Sequence, residues 1–115
     1  MRVLVLEDDE LNKQLLAKFL LGKGCDIQAV GTVKEALWSA ETFRPNDILS
    51  DIMLIGETGL DMFDALSQPM QERVVFMTGY AGVKGQELMA TGCPVLYKPF
   101  DLSDLWSVLL LSAAD

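Results

Sequence analysis

"RVLVLEDDE", residues 2–10, carries four apolar residues straight into four consecutive acids, Glu7, Asp8, Asp9 and Glu10. The apolar part is continuous and does not alternate with polar residues. Such a run suits a strand covered on both faces, as in a parallel sheet with helices on each side. Further β-type runs follow at "DIQAV" (26–30), "DILS" (47–50), "RVVFM" (73–77) and "PVLY" (94–97).

Helical patterns separate these runs. Leu11, Leu15 and Phe19 recur every fourth residue and predict the inner stripe of a first helix, which "GKG" (22–24) ends. Thr32 and Glu35 have capping-box spacing for a second helix, with Ala36, Leu37 and Ala40 as its apolar stripe. A short third helix is expected near 60–67, stopping before Pro69. A fourth is expected from about Val83 to Ala90, closing at Gly92. A fifth follows Asp101 and turns Leu102, Leu105, Trp106 and Leu109 inward. Five βα units predict an α/β fold: a five-stranded, doubly wound parallel sheet with five helices. The 115 residues fit one domain over 1–115.

Composition narrows the function. Seventeen acids against nine bases give a net charge of −8. That balance argues against direct contact with nucleic acid, which needs clustered Lys and Arg, and against adsorption to anionic membranes. No apolar window reaches the roughly 18 residues of a membrane span. The first strand begins at once, with no signal-peptide pattern, so a cytoplasmic location is expected. Cys25 and Cys93 lie far apart and read as reduced packing thiols. The chain has no histidine. Its chemistry therefore rests on carboxylates, hydroxyls and lysine.

In doubly wound sheets ligands bind beyond the carboxyl ends of the strands. Asp8 and Asp9 follow strand one, Asp51 follows strand three, Thr78 and Gly79 follow strand four, and Lys98 and Pro99 follow strand five. A phosphate-cradling nucleotide loop would need glycines in the first turn, where this chain has "LEDDE". Three carboxylates about 4 Å apart repel by roughly 4 kcal/mol per pair at an effective dielectric of about 20. A hard divalent cation reverses that sign, and an all-oxygen donor set suits Mg²⁺ or Mn²⁺. Lys98 adds an ammonium and Thr78 a hydroxyl donor. Together they make a site for a transferring phosphoryl group, with the central Asp51 as the acceptor carboxylate.

The acid pair after strand one, "SDIM" (50–53), "MTGY" (77–80) and "YKPF" (97–100) together resemble the receiver domain of bacterial two-component response regulators, most of all receivers attached to hybrid histidine kinases. The resemblance runs from Arg2 to about Leu111. It implies a flavodoxin-like sheet in the order 2-1-3-4-5. It also implies that Asp51 accepts a phosphoryl group from the phosphohistidine of a histidine kinase or histidine phosphotransfer protein. Asp9 would bind Mg²⁺ directly, Asp8 mainly through water, and the backbone carbonyl of Met53 would complete the ligands. Thr78 would hydrogen-bond the phosphoryl group, and Lys98 would pair with it, aimed by a cis bond to Pro99. The loop 52–59, ending in Gly59, would flank the acceptor. Such a domain catalyses its own phosphorylation and turns over no external substrate.

The chain departs from that pattern in places. Val95 stands where most receivers carry a Tyr or Phe switch, and Tyr97 is expected on the other face of its strand. Ile55 replaces a proline common in the loop after the acceptor. Met53 and Tyr80 flank the acceptor by spacing and are poorly suited to orient an attacking water, so slow self-dephosphorylation is expected. Val108, Leu110 and Leu111 spread apolarity around helix five, which suits homodimerisation there. Two other classes compete. One is a phosphate-independent interaction or dimerisation module of the same fold. The other, a phosphohydrolase with an Asp nucleophile, lacks its second Asp, since Met53 holds that position.

Overall fold

The computed structural model describes residues 1–79 and 84–113. In chain order the elements are β1 (Arg2–Leu6), α1 (Glu10–Gly22), β2 (Asp26–Val30), α2 (Val33–Thr42), β3 (Asp47–Asp51), β4 (Met53–Leu54), β5 (Glu57–Thr58), α3 (Gly59–Ala65), α4 (Gln68–Gln71), β6 (Val74–Thr78), α5 (Gly85–Thr91), β7 (Val95–Tyr97) and α6 (Leu102–Ala113). Five strands form one parallel sheet in the order β2-β1-β3-β6-β7. Counting only those strands, this is the expected 2-1-3-4-5 topology.

Continuous apolarity has the predicted meaning. Alternate residues of β1 and β3 enter two separate cores, one on each face. Leu4, Leu6 and Ile48 pack with Ala36, Ala40 and Met62 on the side of α2 and α3. Val3, Val5 and Leu49 pack with Leu16, Leu20, Leu105 and Leu109 on the side of α1 and α6. On that second side the Lys23 ammonium lies 5.6 Å from the ring centre of Phe19 and 5.7 Å from that of Trp106, joining the end of α1 to α6.

The structure revises several details. The inner stripe of α1 is Leu16 and Leu20; Leu11 and Leu15 are 77% and 54% exposed, and Phe19 is partly buried. Leucines at 11, 15, 16 and 20 offer two helical rows, and spacing alone does not choose between them. The single third helix becomes α3, opened by a Thr58–Asp61 capping box, followed by the one-turn α4. Pro69 sits in the first turn of α4, where its missing N–H is no loss. Six helices therefore appear among the described residues where five were expected. A two-stranded hairpin, β4–β5, fills part of loop 52–59. The expected start of the fourth helix at Val83 lies outside the described residues. Finally, Val95 packs on the α2 side and Leu96 on the α6 side. The two-residue period therefore gives Tyr97 the face of Val95, not the opposite one, and Tyr97 is half exposed.

Candidate functional site at the carboxyl edge of the sheet

The register of the sheet builds the site. Leu6 lies opposite Ser50, so Glu7, one residue beyond β1, is level with Asp51. Val5 and Leu49 share a face, and so do the residues two further on, Glu7 and Asp51. Glu7 also continues the ladder by donating its N–H to the carbonyl of Val30 at 3.0 Å. Carboxylate oxygens of Glu7, Asp8 and Asp51 lie within 4.8 Å of one another. Asp51 is the last residue of β3 and is 7% exposed.

Asp9, expected as the direct metal ligand, is not one of the three carboxylates of this cluster. It is the N-cap of α1, with its carboxylate accepting the backbone N–H of Asn12 at 3.0 Å. Glu7, which reading by adjacency passed over, is the third member of the cluster. The signal that could have found it is register: in parallel strands the acid level with Asp51 is set by pairing, not by its place in an acidic run.

Lys98 stands directly after β7 and reaches back to the cluster. Its Nζ lies 3.0 Å from Asp51 Oδ2 and 3.7 Å from Glu7 Oε2. The bond from Lys98 to Pro99 is cis, and the Lys98 N–H donates to the Thr78 carbonyl at 2.7 Å. Thr78 ends β6 fully buried. Met53 lies in β4 with its side chain half exposed. Tyr80 lies outside the described residues.

Electrostatics show an unfinished site. Glu7 is 1% exposed, and its Oε2 has no hydrogen-bond partner; Oε1 accepts from Asn12 Nδ2 at 3.3 Å. Burial first, and then the adjacent Asp51 carboxylate, push the Glu7 carboxyl up to about 7, against the lowering influence of Lys98 and Asn12. One ammonium does not neutralise three gathered carboxylates. An oxygen-only donor set with an orphaned buried oxygen fits a hard divalent cation such as Mg²⁺.

The neighbouring chain is held close to this cluster. Asp8 Oδ2 accepts the backbone N–H of Ile55 at 2.8 Å, tethering the β4–β5 hairpin. Gly59 opens α3 against Asp51: a Cβ there would stand 2.7 Å from Ser50 Oγ and clash with the Asp51 carbonyl oxygen.

The profile of the family described as "Response regulator receiver domain" matches residues 3–110. The chain belongs to that family. Among curated relatives, the receiver is 32% identical over 77 residues to the DNA-binding response regulator MtrA of Mycobacterium tuberculosis, covering 67% of this chain and 34% of that protein. It is 32% identical over 115 residues to the transcription factor SKN7 of Saccharomyces cerevisiae, covering 94% of this chain and 18% of that protein. The receiver thus spans about a third or less of those two relatives. Among solved structures, it matches a two-component response regulator from Clostridium difficile with a TM-score of 0.89 at 22% identity, covering 99% of this chain and 96% of that one. It matches the chemotaxis response regulator CheY4 of Vibrio cholerae with a TM-score of 0.84 at 26% identity, covering 96% and 97%. None of the receiver's described helices is long and apolar enough to cross a membrane.

Proposed function

We propose that this receiver is a phosphoacceptor switch of a two-component phosphorelay, with Asp51 as the acceptor. The observation that carries the reading is the convergence of Glu7, Asp8 and Asp51 beneath the Lys98 ammonium, 3.0 Å from the acceptor carboxylate. An oxygen of Asp51 attacks phosphorus, forming a P–O bond as the P–N bond of a partner's phosphohistidine breaks. Lys98 moves its charge onto the incoming phosphoryl oxygens, and the Thr78 hydroxyl donates to them. Glu7, Asp8, Asp51 and the backbone carbonyl of Met53 would hold Mg²⁺ or Mn²⁺. A bound divalent cation there supplies neutralising charge for the carboxylates and the transferring group. Asp9 serves as the cap of α1.

The donor is a histidine kinase or histidine phosphotransfer protein of the cytoplasm, and the domain turns over no external substrate. A groove of about 280 Å³ beside Lys98, walled by Leu15, Leu16, Phe100 and Leu102, supports docking of such a partner next to the acceptor. Leu110 and Leu111, 48% and 72% exposed on α6, support homodimerisation through that helix. Met53, two residues beyond the acceptor, carries a thioether poorly suited to orient water, which supports slow loss of the phosphoryl group.

Intact mass after incubation with Mg²⁺ and acetyl phosphate tests the reading. The wild type gains one phosphoryl group, a chelator abolishes the gain, and Asp51→Asn shows none. Absence of any gain in wild type would favour the second reading, a phosphate-independent interaction module. Val95 in the switch position and the exposed Leu11 and Leu15 give that reading its support.

A further inference from the structure

All three arginines of the chain, Arg2, Arg44 and Arg73, line a single groove of about 860 Å³. It lies at the amino edge of the sheet, opposite the acceptor: Arg2 opens β1, Arg44 sits between α2 and β3, and Arg73 immediately precedes β6. The groove's other wall is apolar, with Leu37 from α2 and Leu66 and Met70 from the α3–α4 region.

Two of the guanidiniums are held by hydrogen bonds without being neutralised. Arg2 Nε donates to the Arg44 carbonyl at 2.9 Å, and Arg73 Nη1 donates to the Pro45 carbonyl at 2.9 Å. These bonds fix the turn between α2 and β3 and use one of the five N–H donors on each side chain. Among the described residues no arginine forms an ion pair. Glu41 on the groove wall and the buried Asp47, whose charge Arg73 opposes, offset part of the positive field. Three bases against those two acids still leave a local surplus in a chain whose net charge is −8. Long-range repulsion from the other acids fades within about 8 Å at physiological salt. The planar fork of arginine matches phosphate and carboxylate, and the volume falls within the roughly 300–1,000 Å³ of small-molecule sites.

We propose that this groove binds a small organic anion carrying at least two phosphate or carboxylate charges, its head groups on the arginines and its apolar body along Leu37 and Met70. The inference is independent of phosphoacceptor chemistry, because the occupant sits at the opposite end of the sheet.

The test is an amide NMR titration of the whole chain in metal-free buffer, with ADP, pyrophosphate and citrate as probes. ADP should move the amides of Arg2, Arg44, Asn46, Ser67 and Arg73. Pyrophosphate, lacking an apolar body, should bind more weakly. Citrate binding as tightly as pyrophosphate would assign carboxylate as well as phosphate ligands, while citrate failing would restrict the site to phosphates. Arg2→Gln combined with Arg44→Gln, both at exposed positions, should weaken ADP by about tenfold or more, as expected for losing charge-assisted hydrogen bonds. Arg73→Gln should weaken it separately. No shifts up to about 10 mM, a very weak limit, would overturn the proposal. So would shifts confined to the surroundings of Lys98, or ADP affinity unchanged in the double variant.

Discussion

The two ends of the sheet carry opposite charge in opposite ways. At the carboxyl edge, strand register forces acids together in a place they cannot leave, and Glu7 keeps a buried oxygen with no hydrogen bond. At the amino edge, the guanidiniums gather because loop carbonyls hold two of them, and Arg2 and Arg44 remain exposed to water. The first arrangement costs stability while its carboxylates are charged, and a bound divalent cation would offset that cost. The arginines of the second carry little such penalty, because solvated charges repel weakly, although Asp47 at the same edge also keeps a buried oxygen without a hydrogen bond. Charge imposed by backbone pairing is therefore felt in stability, while charge arranged on a surface is felt mainly in binding.

Three experiments would sharpen or break that contrast. The largest effect is expected for Gly59→Ala, which sets a methyl against the Asp51 carbonyl and Ser50 Oγ. It should lower unfolding free energy by about 3 kcal/mol, the upper end for overpacking, and slow phosphorylation. A urea midpoint equal to wild type would show that the backbone at Asp51 is not tightly held.

Next comes pH. The folded-state pKa of Glu7 is raised from 4.5 to about 7, so its protonated form favours the fold. In metal-free buffer, stability should fall by up to about 3 kcal/mol from this group as pH rises from its unfolded value through about 7. Glu7→Gln should remove that fall, and Mg²⁺ should reduce it. Asp47, raised by burial to about 6, contributes a fall of the same sign at the other edge, and Mg²⁺ should leave it in place. Denaturant curves from pH 4 to pH 8, with and without Mg²⁺, separate the two edges; an equal response to Mg²⁺ in Glu7→Gln would break the comparison.

The smallest effect is expected for Arg73→Gln, which removes the charge facing Asp47 and the bond to Pro45. A loss of about 1 kcal/mol is expected at neutral pH, shrinking as pH falls through about 6, where Asp47 takes up its proton in the folded state. A loss that does not change with pH would mean that Arg73 acts through packing and its bond to Pro45, with no part played by the charge of Asp47.

The fold was legible because its strands are apolar without alternation, and each ends on chemistry. "DILSD" and "RVVFMT" announce buried strands and the residues at their tips. What was not legible depended on information between elements. Leu16 and Leu20 face inward, and Leu11 and Leu15 do not, because of how α1 lies on the sheet. Asp9 and Glu7 are both acids of one run, and only the pairing of β1 with β3 assigns one to the helix cap and the other to the cluster. Pro69 read as a stop and became a start, since the same fixed φ serves both. Gly59 read as a loop end, and its tight fit under Asp51 becomes visible only when α3 is in place.

The hydrogen bond between Asp8 and Ile55 joins residues 47 positions apart. One oxygen of a carboxylate in the cluster is thereby committed to the backbone of the β4–β5 hairpin, and the rotation of that carboxylate follows the hairpin. A side chain that never approaches the cluster can then tune it remotely, as a peg sets the pitch of a string. Ile55 is 87% exposed, so its side chain is open to whatever lies against that surface. A displacement of the hairpin would therefore turn the Asp8 carboxylate within the cluster.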